Sequence, residues 1–374
     1  MLKGLDNVDW EKLSGTSEKE YTDVPHLIQS LTSDDPQVRS DTFDYLIDII
    51  GHQGTVCEIT SYVIPFLVEL LASNSVVEKV NILLFLYTIC WVHREYDQDH
   101  RNTPYKEYVQ KTLRAIRDGS KVYTTLLDDP NHQVRATTAF VLPLLTKHDP
   151  HSMAAVLSHL RVESDNRVVA SLAWSLGDFI NENSESIQHQ DEALMSLWDL
   201  IEPGQVSQVK FAAARSLIKM KGSDVASEII GTLIDAIGQP DLYANLPGGA
   251  TPIWTATEAL CKLSGESRLQ AFQRALDVVP RSQDGHLIAM AFLDTILLEA
   301  TDLVRHYRSD YSDPRLIRYG DEADKQLKID SLSPEQREAL RIVVEADKVW
   351  ERPSNLLVLY GLPPDRDKVR QSLS

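Results

Sequence analysis

No two of the three cysteines, Cys57, Cys90 and Cys261, stand close enough for a CxxC pair. Their odd number and wide spacing exclude a disulfide framework and a thiolate metal site from the first reading. Long apolar runs are also missing. The longest, Ile82 to Val92, is too short to cross a bilayer, and the N-terminal MLKGLDNVDWEKL has no continuous apolar stretch of the kind a secretory leader needs. No membrane association is expected, and the expected location is the cytoplasm. Glycine and proline are not enriched, at 16 and 17 of 374 residues, which argues against long disorder. Positive charge is scarce. With 37 Lys and Arg against 55 Asp and Glu, the formal charge of −18 repels phosphate backbones. A nucleic-acid partner is therefore not expected, and a basic protein is the better guess.

What the chain does have is a repeated helix face. Apolar residues make up 43% of it, ample for a buried core. Beginning at Val38, Val80, Val134, Val168 and Val209, apolar positions recur at +4, +5, +8 and +11. The +8 column reads Leu46, Thr88, Leu142, Leu176 and Leu217, and the +11 column reads Ile49, Trp91, Leu145, Phe179 and Met220. Self-similarity at this spacing marks a repeat array in which each unit packs mainly on its neighbours. Ahead of most anchors lies a second apolar helix, as in VPHLIQSL (24–31), IPFLVELL (64–71), VYTTLL (122–127), MAAVLSHL (153–160) and LMSLWDLI (194–201). Each unit reads as a helical hairpin. Asp35-Pro36 and Asp129-Pro130 place an N-cap acceptor before a helix-starting proline, and Asp165 is set to cap the next helix.

The turn sequences DDPQVR (34–39) and DDPNHQVR (128–135) resemble HEAT repeats, and SLAWSLGDFI (171–180) is similar to the helix core of the HEAT-like phycobilin lyases. The resemblance is clear from about residue 24 to 220. It implies an α-α superhelix, a solenoid of about six to seven hairpins, with further units near IWTATEALCKL (253–263) and HLIAMAFLDTILL (286–298). It also implies a ladder of acids and cations between repeats, giving a structural role to Asp35, Arg39, Asp129 and Arg135, with Lys210 in the cationic place of a later unit. Asn81 and Val169 stand where that ladder would be broken.

The expected organisation is a single all-α body over 1–374. An N-terminal cap covers 1–23, repeats run over 24–300 with insertions at 91–120 and 239–252, and a linker and helical cap fill 301–374. The first insertion reads as a polar loop and an extra helix from Lys106 to Arg117, and the tail as a Ser333-started helix running to about Val349.

Catalytic chemistry is sparse. HREYDQDH (93–100) gathers His93, Glu95, Asp97, Asp99 and His100, but the spacing fits neither an EF-hand loop nor an HExxH helix, so no metal is expected. His52 sits at a hairpin junction and reads as a turn residue. LPGGATP (246–252) lacks the Lys and Ser or Thr of a phosphate loop. RHYRSDYSDPRLIRY (305–319) mixes arginines with tyrosines and reads as a solvated linker or a contact to an acidic face of the same chain. Iron-binding HEAT-like hydroxylases use His-Glu dipeptides, which are absent here. No catalytic residue and no cofactor is expected.

One pattern on the second helices stands apart. Positions +2, +3, +6 and +10 lie opposite the core stripe at 100° per residue and should be polar if they meet only water. In the middle of the array they are partly apolar, with charged ends: the +6 column reads Asp44, Leu86, Phe140, Trp174, Arg215 and Glu258, +2 supplies Ile82, Phe211 and Trp254, and +10 supplies Asp178. Either neighbouring helices cover these side chains or they form the floor of a groove that holds a protein. The functional expectation is a non-catalytic scaffold or regulator holding a partner in that groove, in concrete form a bacterial immunity-type protein masking a basic partner. The alternative is an enzyme or chaperone of the phycobilin-lyase type.

Overall fold

A computed structural model describes residues 2, 4–15, 22–51, 54–73, 78–94, 104–147, 149–182, 187–297, 329–351, 356–360 and 362–373. Among these there is no strand, and the chain divides into two compact units, Met1–Ser196 and Leu197–Ser374.

The first unit holds α1 (Val24–Ser30), α2 (Pro36–Gly51), α3 (Glu58–Leu71), α4 (Lys79–Val92), α5 (Pro104–Arg117), α6 (Ser120–Thr125), α7 (His132–Leu145), α8 (Pro150–Leu160), α9 (Asn166–Glu182) and most of α10 (Ile187–Asp199). They form two rows: α4, α7 and α9 stack side by side, while α5 lies along α3 and α6 against α8. The second unit repeats the plan with α11 (Ser207–Lys221), α12 (Ser227–Gly238), α13 (Pro252–Leu260), α14 (Gly265–Val278), α15 (Ser282–Leu297) and α16 (Pro334–Glu345). Here α11, α13 and α15 make one row and α12, α14 and α16 the other, closed by α17 (Asp347–Trp350) and α18 (Arg366–Leu373). Helices packing on sequence neighbours in two rows is the arrangement of an α-helical solenoid.

Local chemistry starts these helices where the sequence asks it to, with one exception. Asp35 Oδ1 accepts from the Gln37 amide at 2.8 Å and Asp165 Oδ1 from the Arg167 amide at 2.9 Å, each satisfying a donor that a first turn leaves open. Ser333 and Gln336 close a reciprocal capping box on α16. Asp129 does not cap α7. It accepts from the Asn131 amide at 2.9 Å, and Asn131 is the cap, because Pro130 and Asn131 still lie in the turn.

The core stripe holds in α7, α9 and α11, where Val134, Val168 and Val209 are buried with Leu142, Leu176 and Leu217. Burying one such side chain contributes roughly 1.5–3 kcal/mol. It shifts in the first two hairpins. Val38 is exposed, and the inward positions of α2 are Arg39, Phe43, Leu46 and Ile50. In α4 the buried set is Ile82, Leu83, Phe85, Leu86, Ile89 and Cys90, while Leu84 and Thr88 face outward.

The segment expected to be an insertion is the third hairpin's own first helix, in two pieces. α5 ends at Arg117, the chain bends at Gly119, and α6 continues. A Cβ at Gly119 would meet the Tyr123 hydroxyl at 2.6 Å and the Val68 methyl at 2.9 Å, so the bend closes only without a side chain. Tyr123, fully buried, donates to the Ile116 carbonyl at 2.9 Å and fixes the two pieces together. The second irregular stretch is also ordered. Pro240–Tyr243 and Pro247–Gly249 form short 3-10 turns, Tyr243 packs on Phe211 at 5.8 Å, and Gly248 and Gly249 take positive φ. In the tail, α16 stops at Glu345 because Ala346 is extended, so the expected helix to Val349 is broken into two.

The described N-terminal residues pack on α3. Trp10 packs on Phe66 at 6.1 Å, and the Ile59 amide donates to the Ser14 carbonyl at 3.1 Å.

Candidate functional site: an aromatic wall beside an ionic ladder

Stacking α4, α7 and α9 brings one aromatic from each into a continuous row. The Tyr87 and Phe140 rings lie 5.2 Å apart and the Phe140 and Trp174 rings 6.2 Å apart, both tilted. These are distances at which aromatic pairs attract beyond their buried area. Tyr87 and Phe140 are partly exposed, and Trp174 sits behind them with 5% of its surface accessible. The +6 spacing placed Phe140 and Trp174 together, and the structure does the same. It does not use Leu86, which is fully buried. Tyr87, the next residue, takes the place in the row, a one-residue difference that a helix apolar on nearly every side conceals from sequence.

The remaining residues of the expected groove are spread over different environments. Asp178 is half-buried on α9. In the second unit Phe211 is fully buried against Tyr243 and presents no surface, Arg215 is buried, and Glu258 is half-buried. Trp254, on α13, is 46% exposed.

Along the hairpin turns of the first unit runs a ladder of ion pairs. Arg39 Nε lies 3.5 Å from Glu78, Lys79 Nζ 2.7 Å from Asp129, and Arg135 Nε 2.8 Å from Glu163. Each cation sits at the start of a second helix and reaches an acid in the turn of the following hairpin. Arg39 and Arg135 also donate back to the carbonyls of Ser33 and Asp129, at 2.7 and 2.9 Å, tying their own turns. Arg39, Asp129 and Arg135 thus hold the inter-repeat places expected of them. Asp35 does not: its carboxylate caps its own helix, and Glu78 takes the acidic place. The ladder is not broken at Asn81, because Lys79, two residues earlier, supplies the cation. Lys210 makes no ion pair among the described residues.

Among the described residues, the titratable groups singled out by the sequence fall in separate places. His93 is buried, donates from Nε2 to the Gly54 carbonyl at 2.9 Å, and meets the Tyr105 ring edge-on. Burial pushes its pKa down, which keeps it neutral and structural. The rest of the acidic cluster, from Glu95 to His100, lies outside the described residues, as do His52 and the arginine-tyrosine stretch 305–319. Among the described residues no three His, Cys, Asp or Glu side chains converge as metal ligands. No helix among them is long and apolar enough to cross a membrane.

Comparison with known proteins adds little. No protein-family profile and no curated protein matches the chain. Among solved structures, the crystal structure of an engineered protein from a structural genomics consortium is 16% identical over 94% of each chain, with a TM-score of 0.31.

Proposed function

We propose that the protein is a non-catalytic scaffold or regulator that holds a protein partner against the wall formed by α4, α7 and α9. The row of Tyr87, Phe140 and Trp174 carries this reading. Aromatics at the centre of an interface commonly supply most of its energy, and here two of three rings reach the surface on a rigid two-row frame. The excess of 55 acids over 37 bases selects for a basic partner, through steering and rejection of acidic competitors. Masking of a basic protein, as an immunity protein does, is the concrete form of this role.

The test is a photo-crosslinking amino acid placed at position 140 in the native host, with mass spectrometry of the adduct. One protein, captured from position 140 and not from exposed Ser158 on α8, is the expected result. Phe140→Ala should cut that protein's affinity by about tenfold, the effect of losing one central aromatic anchor. Capture indistinguishable at the two positions, or unchanged affinity in a folded Phe140→Ala protein, would remove the wall from the interface.

A further inference from the structure

α10 carries apolar side chains on opposite sides. Ala193 and Leu197 are buried, and Met195, two residues from each and so on the far side of the helix, leaves 70% of its surface open to solvent. Asp191 and Asp199, four residues to either side of it, are exposed as well, so this face of α10 meets water. The other described methionines are placed differently. Met153 on α8 is 2% exposed, and Met220 on α11 and Met290 on α15 are half-buried. A thioether does not need to ionise before it reacts with a peroxide, so access of the oxidant decides which of these sulfurs is oxidised first.

We propose that Met195 is a reversible oxidation site of the folded protein, with hydrogen peroxide as the oxidant. A lone pair of Sδ attacks one peroxide oxygen, and the S–O bond forms as the O–O bond breaks. The hydroxide released takes the proton of the transferred hydroxyl. Sulfur loses two electrons, the peroxide gains them, and the products are methionine sulfoxide and water. The new oxygen stands in water on the outer face of α10, so the helix keeps its packing. The same change at Met153 puts a polar oxygen into the core, where an unpaired polar group is costly. Because the Met195 sulfoxide stays at the surface, methionine sulfoxide reductases, one for each epimer, reach it without unfolding the chain. The outer face of α10 thereby exchanges an apolar side chain for a polar one and back as peroxide rises and falls.

The experiment treats the full-length protein with hydrogen peroxide at neutral pH, quenches it at intervals, and follows the gain of one oxygen at each methionine by peptide mass spectrometry. Met195 should be oxidised about ten times faster than Met153, and faster than Met220 and Met290. In denatured protein the rates should converge. Repeating the reaction at mildly acidic pH should leave the Met195 rate unchanged, as a thioether requires and a thiol would not allow. Protein oxidised at Met195 alone should keep its melting temperature, and a pair of sulfoxide reductases acting on the native protein should restore the starting mass. Met195→Leu should remove the fast event and leave the other rates as they were. Equal rates at Met195 and Met153, or a faster rate at Met220 or Met290, would overturn the site. A fold lost on oxidation, or a sulfoxide reduced only after denaturation, would overturn its reversibility.

Discussion

Lys79 Nζ lies 2.7 Å from Asp129 Oδ2, with under a tenth of either side chain open to solvent. A charge pair so enclosed is held by its mate, since either member alone would face the desolvation cost unaided. Lys79→Met or Asp129→Asn should each lower unfolding stability by about 3 kcal/mol. The double variant should recover part of that loss, which a denaturant-based double-mutant cycle reads directly. Additive losses would mean that the two residues do not act on each other.

The rung below it sets an acid limit. Arg135 donates to both oxygens of Glu163, at 2.8 and 3.2 Å, and holds that carboxyl below the ordinary 4.5. With the folded value depressed, the stabilisation is complete above the unfolded pKa and drains away as pH falls through the folded one. Buried His93 acts in a higher window. Its folded pKa lies below 6.5, so the unfolded chain takes up the proton first and stability falls as pH drops from about 6.5. Thermal melts of Glu163→Gln should depend less steeply on pH below about 4.5, and those of His93→Gln less steeply below about 6.5. Unchanged profiles would show that neither group titrates differently on folding.

These elements also mark how far the sequence could be read. The hairpin plan and the Phe140–Trp174 contact follow from periodicity alone, because both residues stand at the same offset from buried anchors, Val134 and Val168. In α4, KVNILLFLYTICWV is apolar almost all round, so no phase of the 3.6-residue period stands out, and the helix is placed by its neighbours. That ambiguity hid both Lys79 and Tyr87. In α2 the sequence suggests Val38 as the inward anchor, and the structure exposes Val38 and buries Arg39 beside it. An arginine's long stem can be buried when its head group is paired, an arrangement that depends on Glu78 in the next hairpin. The pairing of α5 with α3 was hidden for a similar reason: a spacing longer than its fellows looks like an insertion until its helix finds a place in a row.

Cysteine chemistry should be quiet in the folded protein. All three thiols are free. Desolvation pushes the Cys261 thiol up to about 12 and raises that of Cys57, and Cys90 is buried, so little reactive thiolate exists near neutrality. A chromogenic disulfide reagent at neutral pH should label the native protein slowly and all three thiols after denaturation. Rapid native labelling mapped to Cys261 would contradict its raised pKa.

Binding to duplex DNA at physiological salt should be undetectable by fluorescence anisotropy. A charge of −18 leaves no counterion release to drive association. Salt-sensitive, sub-micromolar binding would reveal a local basic stripe that the average conceals.

The ladder in the first unit has a direction: each cation looks forward to the next hairpin's acid, and each acid looks back. Such rungs are interchangeable. If the stretch from Glu78 to Asp128 were lost in one step, Arg39 would meet Asp129 at the scar, a cation facing an acid as before. Gain of a whole hairpin by duplication leaves matched charges in the same way. The array can therefore lengthen or shorten by whole units over its history without rewriting a single junction.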